Sequence, residues 1–515
     1  MRTFASLCCA AVAAAHLTTA SSIPHPLQSD VALRPSTQLA FLASPDPPAV
    51  ESLLKLTWND RSGLEQALDR IDGDLDGADV WFAGRQTVAR NQDQWALVLR
   101  AADQPKDRLL QLLSPGVAAP SEQPTVEVLL SSIASHLSSP SLSPSSLLAL
   151  SSASIANLSL SSTPPVLSDP IHDTFHSYDN IHTLLLEFEK AFPEWVTVFS
   201  LGQTSEGRDI WAVHVTNQTT PASEPDPEED GDDDDGEAST SKRHRRKKHH
   251  RRKGPQGKLG FTVAGAQHAR EWIAPSTILY LVHYLVAVDP LTGLNPHAKL
   301  LNKVDFTFVP VVNPDGYVHT WTVDRLWRKS RQPSSVPDCF GIDLNRNWGY
   351  KYSSGARPNP CSDSYAGRAA FESVELKALS EYLLDEANGI DAFLDLHSFG
   401  QMLLFPYSYS CDAVTRDEEN LYEAVLSAAK ALRSVHGRQF ETGSVCQVSL
   451  TSPGESLDWT YAVAKIRWSF AAELRDNGVF GFLLPPSQIR PSGEEFAAAL
   501  DALTQFVLDK EAGKR

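Results

Sequence analysis

The residues with the clearest capacity for chemistry lie in the stretch GAQHAREWIAPST, Gly265 to Thr277. An apolar run, LGFTVA, precedes it and reads as a buried strand; STILYLVHYLVAV continues from it and reads as a helix. Its polar residues therefore fall where a strand gives way to a helix, the place where α/β proteins put ligands and reacting groups. His268 and Glu271 are three residues apart, which lets an imidazole and a carboxylate converge on one ion. They supply two of the three protein ligands that a catalytic zinc needs. His397 ends a second apolar run, DAFLDL, as a polar residue and suits the third position. Singly, such residues are weak signals: a His and a Glu three apart open many surface helices, and a lone strand-end His is usually a surface residue.

Further motifs decide between these alternatives. NPDGY (313–317), DRLWRKSR (324–331), GIDLNRNWGY (341–350), LDLHS (394–398) and AELRDNGVFGFLLP (472–485) follow in order. Together with HAREW they make six separated matches, over residues 172–510, and the chain resembles the zinc metallocarboxypeptidases of the carboxypeptidase A type, the M14 family. The resemblance implies one zinc per chain, held by His268, Glu271 and His397, with Asp343 hydrogen-bonded behind the first His to fix its tautomer. It implies Glu473 as general base, Arg328 as the cation polarising the scissile carbonyl, and Asn345 with Arg346 as the clamp on a substrate's terminal carboxylate. Arg270, Ser398, Phe399 and Phe482 match neighbouring subsites, Phe399 standing where a Tyr is usual. Leu457 falls where basic-specific members carry an acidic residue, so an apolar C-terminal residue is the expected preference.

Two features depart from the digestive enzymes. Leu450 occupies the position of the mobile tyrosine that caps the substrate carboxylate, and QVSLTSPGESLDW contains no Tyr. One extra residue also separates Tyr461 from Glu473. Pairing Cys339 with Cys361 matches the family's usual disulfide. Pairing Cys411 with Cys446 looks like a fungal secreted subgroup linked to cell-wall organisation, several members of which are regarded as inactive. A non-catalytic binding protein is therefore the rival expectation to a secreted peptidase acting on peptide or protein C-termini.

The elements that must position these residues are set out along 515 residues with 42% hydrophobic content, enough for more than one domain. A formal charge of -18 argues against nucleic acid or an anionic membrane as partner; a monomer is expected. Arg2, the apolar run Phe4 to Leu17 and the small residues before Ser21 read as a signal peptide over 1–20, implying secretion to the extracellular space, with the vacuole as an alternative destination. The four cysteines beyond it are an even number compatible with disulfides in an oxidising compartment. Sequons at Asn157 and Asn217 lie in loop-like sequence.

Strand-like QLAFLAS, ADVWFAG and WALVLRAA alternate with helix-like AVESLLKLTW and KDRLLQLL over 21–112, a small α/β domain that resembles the family's pro-domain in position and size. Residues 113–170 are rich in Ser and Pro and read as an exposed, poorly ordered linker, in which the leucines allow a short helix. The catalytic domain is expected over 171–515, α/β, with a mixed central sheet flanked by helices as the resemblance implies. Within it, 218–256 carries ten acidic residues from Glu224 to Glu237, then nine Lys/Arg from Lys242 to Lys253. It reads as a disordered charged loop extending a hairpin.

Overall fold

The computed structural model describes residues 51–74, 79–88, 92–102, 125–130, 133, 137, 143–160, 167–218, 257–289, 291–353, 355 and 358–513. The expected signal peptide and nearly all of the charged stretch lie outside them.

Period-2 alternation builds the N-terminal domain, and it makes a strand of ESLLKLTW, within the stretch AVESLLKLTW that reads as helix-like in the sequence: Leu54 and Leu56 face one side and Leu53 the other. Strands β1 (Glu51–Trp58), β2 (Asp79–Val88), β3 (Gln92–Ala102) and β4 (Thr125–Leu130) form an antiparallel sheet in the order β2-β3-β1-β4, with α1 (Arg61–Asp74) after β1. Successive strand residues point to opposite faces. Leu54, Leu56, Trp58, Leu97 and Leu99 close a core with Leu64 of α1. Leu53, Ala96, Val98, Trp81 and Phe82 face the other way, into a cluster with Phe399, Leu457 and Phe482. One sheet thus serves its own core and a second one around the predicted subsites.

The stretch 113–170 differs from the expectation. TVEVLL, rich in β-branched residues, pairs with β1 as β4, so the domain continues past residue 112. Farther on, α2 (Pro144–Leu160) buries Leu147, Ser151 and Ile155, four residues apart along one face. Asn157 lies exposed on this helix, not in a loop.

The larger sheet has eight strands: β5 (Val196–Gln203), β6 (Asp209–Val215), β7 (Leu259–Gly265), β8 (Val304–Val309), β9 (Ile390–Ser398), β10 (Met402–Phe405), β11 (Glu441–Ser444) and β12 (Trp468–Leu474). Their order is β11-β10-β12-β9-β7-β8-β6-β5. The centre, β12-β9-β7-β8, is parallel, whereas β10 against β12 and β5-β6-β8 are antiparallel, giving the mixed sheet expected. Because β6 pairs with β8 and β5, the charged stretch after β6 does not extend a hairpin to β7. The helices α3 (Tyr178–Ala191), α4 (Ile273–Val286), α5 (Pro314–Thr322), α6 (Val374–Leu384), α7 (Glu418–His436), α8 (Ser456–Ala462) and α9 (Ile489–Glu511) complete the domain.

Strands buried on both faces are apolar throughout. Ala392, Leu394 and Leu396 of β9 pack in the cluster of α3, α4, α7 and α9, while Ile390 and Phe393 pack with Leu376 and Leu379 of α6 and Trp459 of α8. Asp395 and His397 share the parity of Phe393 and project to the α6/α8 side. Among the described residues, no helix is long and apolar enough to cross a membrane.

Candidate metal and substrate site

From β7 the chain crosses to β8 on one side, while β9 pairs on the other, so the strand order reverses at β7. The carboxyl ends of parallel strands at such a reversal leave a crevice. His268 and Glu271 lie just past the end of β7, His397 near the end of β9, and Glu473 is the register partner of His397 on β12.

His268 Nδ1 is 2.7 Å from Glu271 Oε1, His397 Nδ1 is 3.0 Å from Glu271 Oε2, and the two Nδ1 atoms are 3.2 Å apart. All three residues are buried, and they are a metal-sized cluster. The Ser398 amide also donates to Glu271 Oε2, at 3.2 Å. Behind the rings lie buried carboxylates: His268 Nε2 is 3.1 Å from Asp343 Oδ1, and His397 Nε2 is 3.1 Å from Asp395 Oδ2, out of line for a hydrogen bond. With protons on the Nε2 atoms, two nitrogen lone pairs and a carboxylate face one another. A cation resolves that repulsion, and this donor set is the one zinc takes in hydrolytic sites.

Where no metal is bound, a proton on His397 takes the cation's place. Burial disfavours a charged His397, but Asp395 and Glu271 outweigh it and hold the ring's pKa well above its usual value. Burial likewise opposes ionisation of Glu271, yet His268 and His397 draw its pKa below the normal carboxylate range.

Asp343 organises the next layer. Its Oδ1 accepts from the Asn345 amide, and its Oδ2 from Arg328 Nε and Nη2 at 3.1 and 2.9 Å. Although desolvation opposes it, Arg328 and His268 keep Asp343 well below the carboxylate range. Burial pushes the half-buried Glu473 up to about 8, with Glu271 and Glu455 adding to the rise and His397 and Arg328 opposing it. Without a further cation it holds a proton at neutral pH; a cation beside it favours the carboxylate.

The predicted subsite residues fall into two groups. Asn345 and Arg346 occupy a turn facing the 454–456 segment: Asn345 Oδ1 accepts from the Ser456 amide at 2.9 Å, and Arg346 Nη1 is 3.0 Å from Glu455 Oε1. Leu457 lies buried with Val445, Val448 and Ala471. Ser398 is buried at the end of β9.

Arg270, Phe399 and Phe482 are met instead by the N-terminal domain. Arg270 Nη1 donates to Asp79 Oδ2 at 2.7 Å and its guanidinium lies 4.3 Å from the Phe482 ring centroid. Trp81 packs 5.0 Å from Phe482, and Phe82 stacks 5.9 Å from Phe399. Leu450 packs against the N-terminal domain's own core. Both disulfides, Cys339–Cys361 and Cys411–Cys446, are present. Asn217 follows β6, its amide donating to Asn302 Oδ1 at 2.6 Å.

Sequence reasoning missed Asp79, Asp395, Trp81, Phe82 and Glu455. Asp395 had a signal, because it lies two residues before His397 in a strand and so on the same face. The others carry no local mark of their partners.

A profile described as zinc carboxypeptidase, of the peptidase M14 family, matches residues 181–499. A Saccharomyces cerevisiae protein named "Inactive metallocarboxypeptidase ECM14" is 36% identical over 352 residues, 67% of this chain and 73% of that one. A Talaromyces stipitatus protein of the same name is 35% identical over 369 residues, 68% of this chain and 57% of its own length. The chain thus spans a little over half the length of its Talaromyces relatives. Among solved structures, thrombin activatable fibrinolysis inhibitor superposes with a TM-score of 0.64 at 25% identity, over 89% of this chain and 99% of that one.

Proposed function

Because the chain belongs to the zinc carboxypeptidases of the M14 family, we propose that it is a secreted zymogen whose processed form releases hydrophobic C-terminal residues from peptides. The observation that carries this is Glu473: a carboxylate in register with His397, at the edge of a His, Glu, His cluster, with Arg328 held nearby by Asp343. Zinc bound by His268, Glu271 and His397 would polarise the scissile carbonyl and make water nucleophilic at neutral pH. Glu473 takes the proton from the attacking water and returns it to the leaving amine. Arg328 supplies positive charge where the carbonyl oxygen becomes negative, and Asp343 fixes its direction. Asn345 and Arg346 orient the terminal carboxylate, so that the last peptide bond meets the base.

The apolar lining around Leu457 gives a Lys or Arg side chain no counterion, which supports the hydrophobic preference. Matched blocked dipeptides ending in Phe and in Arg test it. Phe should be released faster, in a chelator-sensitive reaction, and faster release of Arg would overturn the preference.

A second reading rests on Leu450. With the capping tyrosine replaced by a residue that packs against the N-terminal domain, and with relatives named inactive, a protein that binds C-termini or wall components without cleaving them is the alternative. Loss of the cap alone weakens binding more than chemistry, because it acts on the bound carboxylate and not on the reacting bond. Processed, metal-loaded protein with no peptidase activity would favour this alternative.

A further inference from the structure

The clamp already holds a carboxylate belonging to this chain. Glu455 Oε1 lies 3.0 Å from Arg346 Nη1, with side-chain exposures of 11% and 18%, so this is not a solvated surface pair. Arg346 gives the same nitrogen to the carbonyl of Asn345, and its buried Nε has no partner among the described residues.

The backbone fixes Glu455 in place from both sides. On one side, the Gly454 carbonyl accepts from the Trp348 amide at 3.0 Å; on the other, the Ser456 amide donates to Asn345 Oδ1. Gly454 itself has φ +80°, and a Cβ there would sit 2.4 Å from the Arg346 carbonyl oxygen, so only glycine allows so close an approach. Asn345 is thereby oriented through its Oδ1, while the cation next to it is partly neutralised from within. The influence of Glu455 extends further, since its charge helps raise the pKa values of both Glu473 and Asp458.

We propose that Glu455 is an internal occupant of the Arg346 clamp, a specificity-determining carboxylate that a ligand's terminal carboxylate must displace in order to bind. The inference rests on Asn345 and Arg346 being the clamp, as argued above. Two anions compete for one guanidinium, and the internal one is held at high effective concentration by the backbone around it. Carboxylate-bearing ligands therefore bind weakly, and neutral analogues of the same shape are unaffected by Glu455.

Calorimetric titration of the zinc-loaded protein with 3-phenylpropionate and with 3-phenylpropionamide tests this. Both the full chain and its processed form are titrated, because the N-terminal sheet packs around Leu457, where the phenyl group would sit, while Asn345, Arg346 and Glu455 make none of the contacts with it described above. Glu455→Gln should tighten binding of the carboxylate by about tenfold, the scale of removing one charge pair, and leave the amide unchanged. Glu455→Ala should act in the same direction, and adding Arg346→Gln should abolish the gain. An unchanged or weaker affinity for the carboxylate in both Glu455 variants, no binding in any of them, a gain shared by the amide, or a gain that survives loss of Arg346 overturns the proposal. The carboxylate gain without peptidase activity keeps Glu455 in this role and removes only the catalytic reading. An active enzyme whose Glu455 variants bind the carboxylate no better loses only this inference.

Discussion

At the scale of single residues, the site is a set of buried charges that only make sense together. Asp343 is hydrogen-bonded to His268 Nε2, while Asp395 lies 3.1 Å from His397 Nε2 and acts on that ring through its charge, favouring a proton on the nitrogen away from the cluster. Asp395 also accepts hydrogen bonds from Gln267 Nε2 and Ser456 Oγ, which tie the metal ligand on β9 to the clamp segment at α8. Asp395→Asn should weaken zinc binding about 10–100-fold, measured by competition with a chelator of known affinity, while His397 remains in place. Zinc affinity equal to that of the unaltered chain would remove Asp395 from the site. Much of this layer was legible in the sequence: the ligands stand where apolar runs end in polar residues, and Asp395 has the right parity. Glu455 was not, because a Glu beside a Gly reads as an ordinary turn until the 345–348 turn is brought against it.

At the scale of elements, strand register does what counting along the sequence could not. Between α8 and β12 the chain turns tightly: the amides of Val463 and Ala464 both bond the carbonyl of Trp459, and Lys465 takes a left-handed φ of 59°. Pairing of Glu473 with His397 then sets the proposed base beside the His, Glu, His cluster, whatever the residue count before it. A second element-scale device is the docking of α2. His176 Nε2 is 2.6 Å from the Ile171 carbonyl and its Nδ1 is 2.7 Å from Ser151 Oγ on α2, so the neutral ring donates to one and accepts from the other. Burial lowers its pKa to about 4.

A folded-state pKa of His176 below that of the unfolded chain means the unfolded chain binds the extra proton between pH 6.5 and about 4. This stability is therefore complete above pH 6.5, falls as pH drops through the window, and is not reduced further below it. The span is about 3 kcal/mol. Denaturant melts of wild type and His176→Gln should diverge at neutral pH and converge toward pH 4; parallel curves would refute it. The composition of 113–170 hid β4 and the burial of α2, though the leucines allowed a short helix, since Ser and Pro describe exposure on average and not the few Leu, Ile and Val positions that pack.

At the scale of the whole molecule, the N-terminal sheet is seated on the substrate side of the larger domain. Beyond Asp79, Trp81 and Phe82, Gln86 Nε2 donates to the Asn477 carbonyl, Ser449 Oγ to the Ala83 carbonyl and Arg61 Nη1 to the Cys446 carbonyl, next to the Cys411–Cys446 disulfide. Those contacts link residues hundreds of positions apart, which is why β2 and β3, legible as strands in the sequence, gave no hint of what they cover. Asp79→Ala removes the nearer of two carboxylates from the buried Arg270, leaving Asp363 at 3.5 Å, and so weakens the seat of the sheet by less than the about 3–5 kcal/mol of a fully unpaired buried charge. The uncleaved variant should hydrolyse blocked dipeptides faster than the uncleaved parent, while the two processed forms remain equal. Equal rates before processing would show that the sheet does not restrain the site.

The central claim is that Glu473 does chemistry at a metal held by His268, Glu271 and His397. The most direct measurement is the turnover of a blocked dipeptide ending in Phe by processed, zinc-loaded protein, with and without Glu473→Gln, at matched zinc content. The account predicts chelator-sensitive turnover that falls by about 10² to 10⁴ in the variant, mainly in kcat, with zinc still bound. Activity that is undiminished in the variant, or absent from the zinc-loaded parent, would contradict it.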